Sequence, residues 1–237
     1  MGNTYEPILS GEGATDYERY MRTAVLLSLQ RTPEQVIHHD ELLFQIVHQA
    51  TELWLKLATA ETAVAAGLVR DKRLAAASAQ CGRASLAVTI ATQQLEMLTY
   101  LAPWTFQLIR TILGHGSGFE SPGWKALRQA ALELGTAFDE AVAASDTNLA
   151  ELYRGDTDTP EYILAEALID LDERISVWRV HHFKVATRII GHGVTGTKGT
   201  PVDTLSKLIS QQLFPRLWQV RTELTRTGPM AYNEPAS

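Results

Sequence analysis

Apolar positions recur along this chain with the 3.6-residue period of amphipathic helices, and the pattern stops where glycine and proline gather. Those breakers concentrate in residues 1–13, 114–123, 191–201 and 228–235. The periodicity predicts helices at about 15–30, 40–66, 72–100, 103–113, 122–142, 160–190 and 201–227. In "HHDELLFQIVHQATELWLK", residues 38–56, Asp40 is the expected N-cap. Leu43, Ile46, Val47, Ala50, Leu53, Trp54 and Leu57 form the expected core stripe, and Gln45, Gln49, Glu52 and Lys56 the wet face. Glu52 stands four residues before Lys56, the spacing of a helical ion pair. His48 belongs to neither group; it sits at the seam, one turn after Phe44.

The long segment from 160 to 190 opens with Thr159 as N-cap and Pro160 at the first helical position, and stops at Gly191. Thr200 and Pro201 repeat the start signal, and Pro215 is expected to kink or break the helix that follows. The alanine-rich run "RLAAASAQCGRASLAVTIATQQLEML" suits close helix packing. No convincing strand run or internal repeat stands out. The expectation is an all-α, single-domain bundle of long helices spanning residues 1–237, with 1–13 and 228–237 as flexible tails.

Composition narrows the function classes. With 237 residues and 45% hydrophobic content, the chain can bury a substantial core. A net charge of −6 argues against nucleic acid or an anionic membrane as the main partner. The single cysteine, Cys81, rules out an intramolecular disulfide and a cysteine-rich metal site, and suits a reducing, cytoplasmic setting. The opening "MGNTYEPILSGEGATD" has neither the basic nor the apolar region of a signal peptide, and Tyr5-Glu6 is a poor fit to a myristoylation motif. No stretch reaches the ~18 apolar residues of a membrane span.

Seven histidines carry most of the candidate chemistry. His182 shares a helix face with Trp178, Val185, Ala186 and Ile189. An imidazole among apolar neighbours needs a partner. Two answers stand open: a hydrogen bond to a neighbour, or an axial bond to haem iron. His181 points away from that face. His48 is either a hydrogen-bonded boundary residue or a polar group facing a pocket walled by Phe44; zinc is the weaker option, since the HExxH pattern is absent. In "APWTFQLIRTILGHGSGFES", Arg110 lies one turn after Phe106, on a helix that runs into a glycine-rich loop. It reads as a carboxylate-binding guanidinium or as a surface arginine at its helix C-terminus. "GVTGTKGTP", residues 193–201, is a plain connector or a lid offering hydroxyls and amides.

Four of these stretches, in order, resemble the tryptophan 2,3-dioxygenase family of haem enzymes. "YERYMRTAVLLSLQ" resembles the N-terminal helix that reaches into a neighbouring subunit. "HDELLFQIVHQATELWLK" resembles the distal helix, "FQLIRTILGHGSGFES" the carboxylate-binding segment, and "WRVHHFKVATRIIG" the proximal helix. The resemblance implies haem b, ferrous when active, with His182 as the proximal iron ligand and Trp178 beside it. It implies His48 at the indole N–H, Phe44 as an indole-pocket wall and Arg110 on the substrate carboxylate. Tyr17, Tyr20 and Met21 match residues donated across a subunit interface, which implies a homotetramer with shared sites. The implied substrates are O2 and L-tryptophan or a modified, for example methylated, tryptophan. Two positions depart from the family pattern. Phe106 stands where tyrosine is usual. The family's "GTGGS" loop reads "GTKGT" at 196–200, with Thr197 as the substrate-contacting threonine and Thr195 as the alternative. The family includes natural-product relatives that insert one oxygen atom to give a 2-oxindole and need an external reductant, so a monooxygenase is the alternative activity. A non-catalytic haem sensor is the alternative from another class.

Overall fold

In a computed structural model of the chain, residues 6–145, 148–196 and 199–230 are described. The order is α1 (Asp16–Met21), α2 (Thr23–Leu27), α3 (Glu41–Arg70), α4 (Leu74–Gln93), α5 (Pro103–Leu113), α6 (Pro122–Ala144), α7 (Leu149–Arg154), α8 (Pro160–Ile190), α9 (Thr204–Ile209) and α10 (Pro215–Thr227). A 3-10 stretch, Gln94–Tyr100, joins α4 to α5. Among the described residues there is no strand, only an isolated bridge between Thr195 and Pro201. The all-α expectation holds.

The long helices α3, α4, α6 and α8 pack around one core. Small side chains make the approach close: Ala77, Cys81, Ala84, Ala87 and Ala91 of α4 are all buried. Leu55, Leu127, Leu134, Leu164, Leu168 and Leu171 fill the remaining space. Burying each such leucine stabilises the fold by about 1.5–3 kcal/mol. A second, smaller cluster gathers Val47, Leu95, Leu98, Leu101, Ile109, Val185 and Ile189 from α3, the 3-10 stretch, α5 and the end of α8. Trp178 packs against both clusters.

Several local expectations change. The predicted 15–30 helix is two short ones, divided at Arg22, whose backbone is left-handed (φ 52°). The predicted 72–100 helix tightens into 3-10 geometry after Gln93, and α3 runs on to Arg70. The short helix α7 has no counterpart among the predicted elements; Asn148 caps it by accepting from the backbone N–H groups of Ala150 and Glu151. Asp40 makes no side-chain capping bond. Of the predicted core stripe, Val47 is buried and Leu43 and Trp54 pack partly buried against the core clusters, whereas Ile46, Leu53 and Leu57 are exposed and the buried line of α3 continues through Thr51, Leu55, Ala58, Thr62, Ala65 and Val69.

The predicted 201–227 helix breaks between α9 and α10, and α8 supplies the reason. Three polar residues on one face of α8 take up the backbone groups that the break exposes. Asp172 Oδ2 accepts from Leu213 N, Phe214 N and Trp218 Nε1 at 2.8, 3.2 and 2.9 Å. Ser176 donates to the Ile209 carbonyl, and Arg179 donates to the carbonyls of Leu208 and Gln211. Pro215, with no N–H to give, then starts α10.

Candidate active site

A cavity of about 400 Å³ opens where the two hydrophobic clusters meet, a size typical of small-molecule and cofactor sites. Leu127 and Ile175 of the main core and Leu98, Val185 and Ile189 of the smaller one share its lining. The helix spacing that set His182 beside Trp178, Val185, Ala186 and Ile189 in the sequence brings all five residues to this cavity.

His182 is half-buried, and what surface it keeps faces the cavity. Trp178, one turn earlier on α8, stacks on the imidazole at 4.8 Å with the planes 9° apart. Trp124 of α6 backs Trp178 at 4.2 Å. Desolvation, and then the field of His48, lower the His182 pKa to about 4, so the ring is neutral and carries a lone pair at ordinary pH. No hydrogen bond is made by either ring nitrogen among the described residues, so the alternative of a hydrogen-bonded core histidine finds no partner. The neighbouring Trp178 Nε1 is buried and also unpartnered. A buried donor without a partner is rare in native interiors.

His48 lies on α3, where its exposed side lines the same cavity. Its Nδ1 sits 2.7 Å from the carbonyl oxygen of Phe44. A carbonyl can only accept, so Nδ1 carries the proton and donates. Burial lowers the His48 pKa, against weaker upward pulls from the Phe44 bond and Glu52. The neutral ring therefore keeps an unprotonated Nε2, free to accept. Phe44 packs against His48 at 4.1 Å and against Phe106 at 5.8 Å, which makes an aromatic wall.

Arg110, also in the lining, lies on α5. Its Nη1 donates to Gln107 Oε1 (3.1 Å) and its Nη2 to the Thr195 carbonyl (3.2 Å). Two of its five N–H donors are used, which leaves a fork for an anion. The bond to Thr195 ties the 193–202 loop to α5. That loop closes on itself through Gly196 N to Thr200 O and Val202 N to Val194 O. Gly196 and Thr200 line the cavity. Thr195 offers its carbonyl to Arg110, while Thr197 lies outside the described residues. Tyr17, Tyr20 and Met21 are exposed on α1 and do not line the cavity of their own chain.

Sequence reasoning missed several contributors. Trp124, Lys125, Arg128 and Arg179 line the cavity, and Gly118 borders the imidazole of His182: a Cβ there would stand 4.0 Å from Nε2. Glu52, expected on the wet face beside Lys56, is half-buried and instead accepts from Ser121 Oγ and from Gly123 N (2.9 Å) at the start of α6. A carboxylate at a helix N-terminus is the more favourable place for it.

A helical fold that opens at the junction of two cores into an apolar cavity, with an unpartnered imidazole nitrogen on each of two walls, defines a protein built around a bound small molecule. The sequence model for tryptophan 2,3-dioxygenase matches residues 5–137. Tryptophan 2,3-dioxygenases from strains of Bacillus cereus, Myxococcus xanthus and Caulobacter vibrioides are 30%, 31% and 31% identical to it, over 88%, 92% and 88% of this chain and 92%, 92% and 98% of theirs. The chain belongs to the tryptophan 2,3-dioxygenase family, and is a haem-dependent oxidoreductase.

The residues present fit haem. His182 offers a neutral, unpartnered ring nitrogen to a cavity walled by apolar side chains. Among the described residues no trio of His, Cys, Asp or Glu stands close enough to hold a bare ion. A single imidazole suits a metal that brings its other ligands with it in a macrocycle.

Proposed function

We propose that this protein oxygenates the indole ring of L-tryptophan, or of a closely related modified tryptophan, at C2 and C3. His182 would hold the iron of haem b, with Trp178 fixing the ring plane. The observation that carries the reading is the His48 tautomer: Nδ1–H is committed to the Phe44 carbonyl, so Nε2 is left as an acceptor on the cavity wall. An indole N–H is the donor such a site wants. Arg110 would pair with the amino-acid carboxylate, and the 193–202 loop, with Thr197 as its substrate-contacting threonine, would close over the amino-acid end.

Haem supplies the activation of O2 when bound. The chain's own side chains orient and exclude. His48 accepts the indole N–H and sets the ring's rotation; no proton need leave nitrogen. Phe44 and Phe106 hold the ring and keep water out. Arg110 fixes the far end, so the C2–C3 bond is presented in one pose.

Two-atom insertion opens the ring to N-formylkynurenine and consumes no reductant. One-atom insertion gives a 2-oxindole, releases the second oxygen as water, and consumes two electrons and two protons from an outside donor. Phe106 favours keeping this second reading, since it puts no hydroxyl where a carboxylate-end hydrogen bond would form. The deciding measurement is product mass from pure, reduced, haem-loaded protein with L-tryptophan and air. A gain of two oxygens is expected of a dioxygenase, and a gain of one assigns the monooxygenase. A stable haem complex that turns over neither tryptophan nor its methylated analogues would overturn the assignment in favour of a haem sensor.

The exposed α1 residues support a shared site. Tyr17 and Tyr20 are 65% and 77% exposed, a state that a neighbouring subunit's cavity would relieve, and a homotetramer is the proposed assembly. No helix among the described residues is long and apolar enough to cross a membrane. A lone cysteine, Cys81, suits a reducing compartment, and a cytoplasmic location is proposed. One haem-binding domain over residues 1–237 is the proposed organisation. Its proposed tails, 1–13 and 228–237, lie partly outside the described residues.

A further inference from the structure

The cavity lining carries four permanent cations, Arg110, Lys125, Arg128 and Arg179, and no carboxylate. In a chain of net charge −6 this is a local inversion of sign. The four divide by wall. Arg110 stands on α5 and is tied to the 193–202 loop. The other three come from two helices, Lys125 and Arg128 from α6 and Arg179 from α8, and Arg128 lies near enough to Arg179 for its charge to be felt there.

This second group has too little negative charge around it. Arg128 makes no hydrogen bond or ion pair among the described residues. Lys125 has one long bond, 3.4 Å, to the Glu120 carbonyl. Arg179 spends Nη1 on the carbonyls of Leu208 and Gln211. Burial lowers its pKa; Asp172 pulls the other way, and Arg128 adds to the lowering. Asp172 is not within ion-pair distance, and its Oδ2 already accepts three hydrogen bonds. Arg128 and Arg179 thus feel each other's charge across the cavity lining, a repulsion that an anion between them would relieve. The forked donors of arginine suit a carboxylate above other anchors.

We infer that Lys125, Arg128 and Arg179 form the carboxylate-receiving rim of the cavity and take the two propionates of haem, leaving Arg110 for the substrate. The inference rests on the haem reading above. It assigns the two kinds of carboxylate in the site to different walls. It also gives the exposed, unpartnered Arg128 a role that its position on α6 alone does not.

The test is a Soret titration of the full chain, prepared without haem, with iron protoporphyrin IX and with its dimethyl ester, which lacks the charged propionates. Wild type should prefer the diacid by about tenfold or more, the scale of a charge-assisted pair at a partly open site. The double variant Lys125→Gln/Arg128→Gln should lose most of that preference while binding the ester as wild type does. High salt should erode the wild-type preference in the same direction. An unchanged preference in the double variant overturns the inference. So does a parallel loss for both porphyrins, which would mark these residues as structural. An unchanged preference with weakened L-tryptophan binding would give the rim to substrate and also overturn it. Uptake of both porphyrins without discrimination by wild type would sink the inference alone; uptake of neither would sink the haem reading with it.

Discussion

At the scale of single residues, the role proposed for His48 makes two demands on one ring. Its Nδ1 is held by the Phe44 carbonyl one turn back, and its Nε2, left as an acceptor, would meet the indole N–H. His48→Ala should therefore weaken L-tryptophan binding about tenfold, the cost of one buried hydrogen bond. It should leave 1-methyl-L-tryptophan, which has no indole N–H, unaffected. Titration of the haem spectrum with both ligands checks this; equal losses for the two would remove the hydrogen bond from the account. Tyr153 gives a pH prediction away from the cavity. Burial raises its pKa to about 12, helped by its bond to Glu166 and opposed by Arg221. A folded-state pKa above the unfolded value contributes stability that is complete below the unfolded pKa of ~10 and is lost as pH rises through the folded value. The stability difference between wild type and Tyr153→Phe should be flat below pH ~10 and shift against wild type between about 10 and 12 in urea unfolding.

At the scale of elements, α6 is fixed to α3 by the contact between Gly123 and Glu52. A Cβ at position 123 would stand 2.6 Å from Glu52 Oε2 and 2.7 Å from Leu55 Cβ. Gly123→Ala should cost about 1–3 kcal/mol through overpacking, read by chemical denaturation. It should also loosen the 117–121 loop, whose Gly118 borders His182, so haem affinity should fall with it. An alanine variant as stable as wild type would show that α6 can move off α3 without penalty.

Element by element, the sequence is most legible where one strong local signal acts alone. Thr159, Pro160 and Gly191 bound α8 to the residue, and Pro103 opens α5. It is least legible where another part of the chain competes. Glu52 has a suitable lysine four residues on, yet the N-terminus of α6, some seventy residues away, offers a half-buried hydroxyl and an N–H. Pro215 signals the break between α9 and α10, but the side chains that take up its backbone groups, Asp172, Ser176 and Arg179, lie on α8. Periodicity along one segment carries no information about either partner.

At the scale of the whole molecule, the proposed assembly is tested at the N-terminal segment. α1 and α2 bury no residue, and Tyr17, Tyr20, Met21 and Leu27 all stand exposed. If these complete a neighbour's site, sedimentation should report about four times the 26.2 kDa chain mass. Removing residues 1–21 should then leave haem uptake intact but abolish turnover. A fully active monomer would refute the shared site.

The sequence by itself determined the helical class, since a 3.6-residue apolar period has few other solutions. It also singled out His182, His48, Phe44, Phe106 and Arg110, and all five line one cavity. Residue type and local spacing are properties of the chain alone. Only the tertiary structure decided that the cavity forms at the seam of two cores, that Trp124 of α6 backs Trp178 of α8, and that Lys125, Arg128 and Arg179, from two helices, line it. Those facts depend on helices far apart in sequence being packed against one another, and no local pattern encodes that distance.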